Sequence, residues 1–158
     1  MGPYASIVFQ NYDLIWIQIH EMLVIEKGGE EQIGEELSAY NPLIPNGSNF
    51  VCVIMFQIEN REKRKKVLYE LGHIEKTFFL QFENEKVPAS QHGNDEVERT
   101  TVDGKTSAVH FLTFSFTPSQ VEKLKKSSSL TFGTDFPNYA HSTTLPPSLL
   151  SSLKEELF

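Results

Sequence analysis

The segment Ile17-Gln-Ile-His-Glu-Met-Leu-Val-Ile-Glu26 sets one imidazole and two carboxylates inside an apolar run. Such a set could bind a metal or move protons, provided that the side chains share a face. A helix turns about 100° per residue, so with Leu14 at the origin Gln18 falls at about 40°, Glu21 at about 340° and Ile25 at about 20°. His20 falls at about 240° and Glu26 at about 120°, so neither joins Glu21, because only residues three or four apart are neighbours on a helix. There is no HExxH spacing, and a zinc-hydrolase reading fails. Gln18 and Glu21 remain, three residues apart and flanked by Leu14, Ile17, Met22 and Ile25. The wheel therefore predicts a buried carboxylate, which must be paired, hydrogen-bonded or protonated. It could serve as a general base or a ligand for a metal or substrate. The plainer reading, a carboxylate tying the helix to a backbone group or a Tyr hydroxyl, outweighs the functional one.

Other residues invite similar questions. Tyr40-Asn41-Pro42-Leu43-Ile44-Pro45 is a proline-stiffened helix exit with a phenol and an amide. Thr134-Asp135-Phe136-Pro137-Asn138-Tyr139 is a turn after a strand, carrying a carboxylate and a second phenol, and turn chemistry alone accounts for most of it. With Glu36 these define a candidate polar site of Gln18, Glu21, Glu36, Tyr40, Asn41, Asp135 and Tyr139. The five histidines (20, 73, 92, 110 and 141) have no metal-ligand spacing, and no metal site is assigned. No GxGxxG, GxxxxGK[ST] or GxSxG pattern occurs, and the sequence names no cofactor. Cys52, the lone cysteine, lies on the apolar side of a strand and reads as a core residue.

The elements that would hold these residues follow from patterning. Strands are expected at Ala5 to Gln10, at Asn49 to Ile58 with Cys52, Ile54, Phe56 and Ile58 on one side, and at Ile74 to Phe82. Another is expected near Leu130 to Gly133. Asp103-Gly104 predicts a hairpin between VERTTV and KTSAVHFLTFSF, whose second arm points Leu112, Phe114 and Phe116 one way. Helices are predicted over Tyr12 to Lys27, stopped by Gly28-Gly29, over Glu30 to Tyr40, over Arg61 to Leu71, and from the Thr117-Pro118-Ser119-Gln120 capping box to about Lys126. A last helix begins near Pro146-Pro147, and the polar stretch Glu83 to Asn94 is predicted as an exposed loop. Strands and helices mix without strict alternation. The expectation is an α+β fold, one domain over residues 1–158, with a mixed, mostly antiparallel sheet covered by helices.

Bulk composition narrows the function classes. A chain of 158 residues with 12 Phe has material for a real core, and a domain this size buries roughly 70% of its unfolded surface. Fourteen basic against 21 acidic residues give a net charge of −7, which argues against nucleic acid or an anionic membrane as partner. The basic run Arg61 to Lys66 lies opposite Val67, Leu68 and Leu71 and reads as a solvated helix face. MGPYASIVF is not expected to act as a secretory leader, and the apolar run Leu14 to Ile25 is too short to span a bilayer. The setting expected is the cytoplasm.

Taken in order, these segments resemble a bacterial family of uncharacterised proteins, a domain of unknown function associated with genes for rubrerythrin and an iron–sulfur oxidoreductase. The likeness runs nearly end to end. It is carried by Gly2, Pro3, Phe9, Asn11, Gln18, Glu21 and Met22, by Glu36, Leu37, Tyr40, Asn41 and Pro45, by SAVHFLTF, and by FGTDFPNY. Phe136 stands where that pattern has His, Gln10 where it has Glu, and Tyr12 where it has a basic residue. A polar centre built on those positions would be incomplete here. The pattern also continues upstream of Gly2, which implies an amino-terminal segment that this chain lacks. The resemblance implies a redox or stress context and no established activity. The leading expectation is thus a non-catalytic accessory or binding protein, with a protein partner or a homo-oligomer as its assembly. The competing one is a small enzyme or metal-binding protein that gathers Glu21, Glu36, Tyr40 and Asp135 in one cleft.

Overall fold

The computed structural model describes residues 1–91 and 99–158. The chain begins with strand β1 (Ala5–Phe9), helix α1 (Tyr12–Glu26) and helix α2 (Glu30–Tyr40), which runs into a 3-10 turn (Asn41–Leu43). Strand β2 (Asn49–Phe56), helix α3 (Arg61–Glu70), a 3-10 turn (Ile74–Thr77), and strands β3 (Phe78–Phe82), β4 (Glu85–Pro88) and β5 (Ser90–Gln91) follow. The remainder is β6 (Val109–Ser115), α4 (Pro118–Lys126), β7 (Thr131–Thr134), β8 (His141–Thr144) and α5 (Pro147–Glu155). The fold is α+β, as expected. Its strands form two four-stranded antiparallel sheets, β1-β2-β6-β5 and β4-β3-β7-β8, where the sequence suggested a single sheet.

The alternation in the strands explains how the sheets meet. Phe50, Cys52, Ile54 and Phe56 of β2 and Leu112 and Phe114 of β6 are buried in one cluster with Phe78, Leu80 and Phe82 of β3 and Phe132 of β7. Burial pushes the Cys52 thiol well up, so it is an inert core group. The other phase of β2 and β6 packs elsewhere. Val51 and Phe111 form a second cluster with Ile15 and Ile19 of α1 and with Leu43 and Tyr40. The helices α1 and α2 thus lie on the outer side of the first sheet, away from the inter-sheet core.

Local chemistry sets most helix ends. Asn11 is extended and its side chain accepts the Leu14 N–H at 2.8 Å, opening α1. Thr117 and Gln120 form the predicted capping box of α4. The run Arg61 to Lys66 is exposed on α3, while Val67 and Leu68 are buried.

Some expectations fail for non-local reasons. Residues 83–91 contain β4 and β5 in place of a loop, because Glu83 takes a positive φ of 49° and turns the chain back onto β3. Val87 is then buried and the backbone gains partners that outweigh poor strand propensity. Residues 92–94, including His92 and Gly93, lie outside the described residues. The turn at Asp103-Gly104 forms, with Gly104 at φ 91° and its N–H donating to the Thr101 carbonyl. Its arms share only a Thr100–Thr106 bridge among the described residues, and Val97 and Glu98 of the predicted first arm lie outside them. Strand β6 pairs instead with β2 and β5. Ile74 to Thr77 forms a 3-10 turn rather than strand. Strand β8, entirely exposed and polar, had no alternation to announce it. A polar edge of this kind discourages sheet-to-sheet pairing.

Candidate functional site

The buried stripe of α1 is Ile15 and Ile19, with Leu23 half-buried one turn further on. That stripe is rotated from the face picked out on the wheel. The helix is apolar nearly all round, so its hydrophobic pattern selects no side. Glu21 is consequently exposed, and Gln18 is half-buried; the predicted burial of Glu21 is corrected. Both still line one groove of about 380 Å³ on the outer side of the first sheet. Tyr40 joins them there, with Val8, Leu14, Ile17, Val53, Met55 and Phe111 making the walls and floor.

Glu36 stays out of that groove. It is buried beside Gln32, whose Nε2 donates to Glu36 Oε1 at 2.9 Å and to Glu26 Oε2 at 3.1 Å. Gln32 Oε1 in turn accepts the Gly28 N–H at 2.7 Å. This cluster fastens α2 to the end of α1, where Lys27 closes the helix in the left-handed region at φ 55°. Asn41 is exposed, and its backbone caps α2 by donating to the Leu37 carbonyl.

Asp135 and Tyr139 belong to a different part of the molecule. Asp135 is exposed beside Lys86 at 2.5 Å, and lines a separate surface depression with Thr77 and Phe79. Lys86 also sits 3.9 Å above the centre of the Phe79 ring. Tyr139 is buried, and its hydroxyl accepts the Tyr4 and Ala5 N–H groups at 3.0 and 3.1 Å while donating to the Met1 carbonyl at 3.0 Å. Phe136, at the position where the resembled pattern has His, packs against the inter-sheet core. The structure therefore brings Gln18, Glu21 and Tyr40 together and leaves Glu36, Asp135 and Tyr139 in three other settings. Among the described residues, no three His, Cys, Asp or Glu side chains are grouped to hold a metal ion. Among those residues no helix is long and apolar enough to cross a membrane.

Besides Gln32, the buried polar groups that the sequence reading did not single out include Glu75 and His110. Glu75 is almost fully enclosed; its Oε1 takes a long bond from Gln91 Nε2 at 3.5 Å, and its Oε2 has no partner among the described residues. His110 is fully enclosed, with Nε2 at 2.9 Å from the Ser107 carbonyl and Nδ1 without a partner among the described residues. A signal was available, since His110 shares the inward phase of Leu112 and Phe114. Burial holds the imidazole below its ordinary range, opposed by the charge of Glu75 and the Ser107 bond, with Arg99 lowering it further. A histidine whose folded pKa is depressed takes up a proton more readily when unfolded. Stability is then full above the unfolded value of about 6.5 and falls as pH drops from there through the folded value. Calorimetry between pH 5.5 and 7.5 should show a thermal midpoint that rises with pH, with a flatter slope in His110→Gln. A midpoint that falls with rising pH would mean that His110 is charged against Glu75.

The outer surface of α1 carries the other unusual feature. Trp16, Val24 and Ile25 are 52%, 70% and 72% exposed, and Leu14, Ile17 and nearby Val8 are exposed too. His20 lies against Trp16, its ring centre 3.9 Å from the indole, with Nδ1 at 2.8 Å from the Trp16 carbonyl oxygen. Ile17 and Glu21 border both the sheet-side groove and this outer surface, so the two are continuous.

Comparison with known proteins matches residues 1–157 to the model of a protein family of unknown function, DUF3501. The chain is also similar to a crystal structure of a novel protein of unknown function from Burkholderia pseudomallei K96243. The two share 36% identity at a TM-score of 0.89, over all of this chain and 82% of that one. No curated protein matches.

Proposed function

We propose that this chain, which belongs to the DUF3501 family of proteins of unknown function, is a non-catalytic binding protein that docks a protein partner on the outer side of α1. The observation that carries this reading is the continuous apolar surface of Leu14, Trp16, Ile17, Val24, Ile25 and Val8. Scattered exposed apolar residues are ordinary, but a joined patch of this kind marks an interaction site. The groove beside it has an apolar floor with Gln18, Glu21 and Tyr40 at its polar margin. These three groups suit orientation of a docked chain through hydrogen bonds, with the apolar walls supplying the affinity. A cytoplasmic setting and a redox or stress context belong to the same proposal, as the surroundings in which a partner would be met.

Trp16, the only tryptophan, reports on the patch directly. Titration with a synthetic helical peptide bearing leucines along one face should shift Trp16 emission to the blue and saturate. Ile17→Glu should weaken binding by roughly tenfold or more, as loss of a central contact does, whereas Asp135→Asn should leave it unchanged. Emission that does not saturate, or equal binding by Ile17→Glu, would refute the docking reading.

A further inference from the structure

We infer that the partner on this surface is a second copy of this chain, with α1 packed antiparallel on α1 about a two-fold axis near His20. This rests on the docking reading above and names its occupant. Three observations carry it. The first is spacing. Asp13, Ile17, His20 and Val24 follow one another at intervals of four, three and four, the repeat of a helix-pairing seam, and Lys27, the left-handed residue that closes the helix, stands three positions beyond. This seam faces away from Ile15 and Ile19, and Asp13, Ile17, His20, Val24 and Lys27 are all exposed.

The second observation is charge. An acid, Asp13, opens the seam and a base, Lys27, stands at the cap that ends the helix, each seven positions from His20. An antiparallel copy therefore sets Asp13 beside the second copy's Lys27 at both ends, and His20 beside its Glu21 near the axis. Ile17 and Val24 meet their counterparts in between. A parallel copy would instead bring Asp13 to Asp13 and Lys27 to Lys27. Like charges in such positions cost stability, so the pattern selects the antiparallel arrangement. A two-fold interface of this kind is self-complementary and closes on itself.

The third is exposure. Along this seam Ile17 and Val24 are 47% and 70% exposed, and Trp16 beside it is 52% exposed, so these apolar side chains are open to a partner.

Sedimentation equilibrium of the 158-residue chain from submicromolar to high micromolar concentration tests the inference. The expected result is a mass rising from 18.0 kDa to twice that value. Val24→Glu should weaken association by roughly a hundredfold, since it sets an unpaired carboxylate against each apolar contact. Asp13→Lys should weaken it by roughly tenfold through the like charge of Lys27, and the exchange Asp13→Lys/Lys27→Asp should restore it. Far-UV circular dichroism of each variant confirms that α1 remains formed. A dimer indifferent to both Val24→Glu and the charge exchange overturns the inference. A monomer at all concentrations also overturns it: if the leucine-faced peptide still saturates Trp16 emission, only the second copy is wrong, and if it does not, the docking reading falls too.

Discussion

Phe132→Ala is expected to lower the unfolding free energy by about 3–5 kcal/mol, the range for a phenylalanine removed from a core that cannot collapse. Phe132 has no exposed surface and sits among rings from both sheets. Phe78 lies 5.7 Å away within its own sheet, and Phe114 and Phe9 lie 5.7 and 6.3 Å away in the other. The edge-on arrangement of Phe9 and Phe114 adds to the loss beyond area alone. Relaxation into the void is opposed because each neighbour is held by a strand ladder. Chemical denaturation measures the change, and a loss below about 1 kcal/mol would contradict inter-sheet packing at this residue. We expect one cooperative transition before and after substitution, since a single cluster joins the two sheets, α3, α4 and α5. Two separated transitions would divide the chain into independent units.

Tyr139→Phe is expected to cost about 1.5–3 kcal/mol, because the phenol satisfies several backbone groups at once. The ring would still pack against Tyr4, Phe56 and His141. What disappears is the only described acceptor for the Tyr4 N–H and one of two for the Ala5 N–H, which also reaches the Met1 carbonyl. The expected readouts are a lower denaturation midpoint and faster amide exchange at Tyr4 and Ala5. Peptide binding read by Trp16 should be unaffected, because Tyr139 and the α1 surface lie apart. A change in binding with stability intact would return Tyr139 to a functional role.

These two residues illustrate how differently the chain's features announce themselves. Phe132 sits in a short strand, and its inward phase follows from the neighbours it shares with Leu130. The helices were also legible. Asn41-Pro42 bounded α2, α1 ended at Lys27 just before the glycine pair, and Thr117 with Gln120 opened α4, all through interactions spanning a few residues. Tyr139, by contrast, looked like a turn residue with a free phenol. Its acceptors and donors lie some 135 positions earlier, and no local pattern encodes that approach. The split into two sheets was hidden for the same reason, since pairing depends on which strands meet.

The grouping of carboxylates was least legible of all. Glu21, Glu36 and Asp135 share a chemistry but not a location: one borders a groove, one is held by Gln32, and one is beside Lys86 on the second sheet. Glu75 and His110 are more deeply enclosed than any of them.

For α1 the division is sharpest. The chain alone indicated a helix over residues 12–27, one residue longer than the observed Tyr12–Glu26, because caps, propensity and stop signals act within a turn or two. It also carries the 4-3-4 spacing of Asp13, Ile17, His20 and Val24. It could not fix which side of that helix meets the sheet. Hydrophobic burial is non-directional and scales with area, so a helix apolar nearly all round has close alternatives until a partner surface is present. Val51, Phe111 and Leu43 supplied that surface, took Ile15 and Ile19 as their counterparts, and left Trp16, Val24 and Ile25 facing outward.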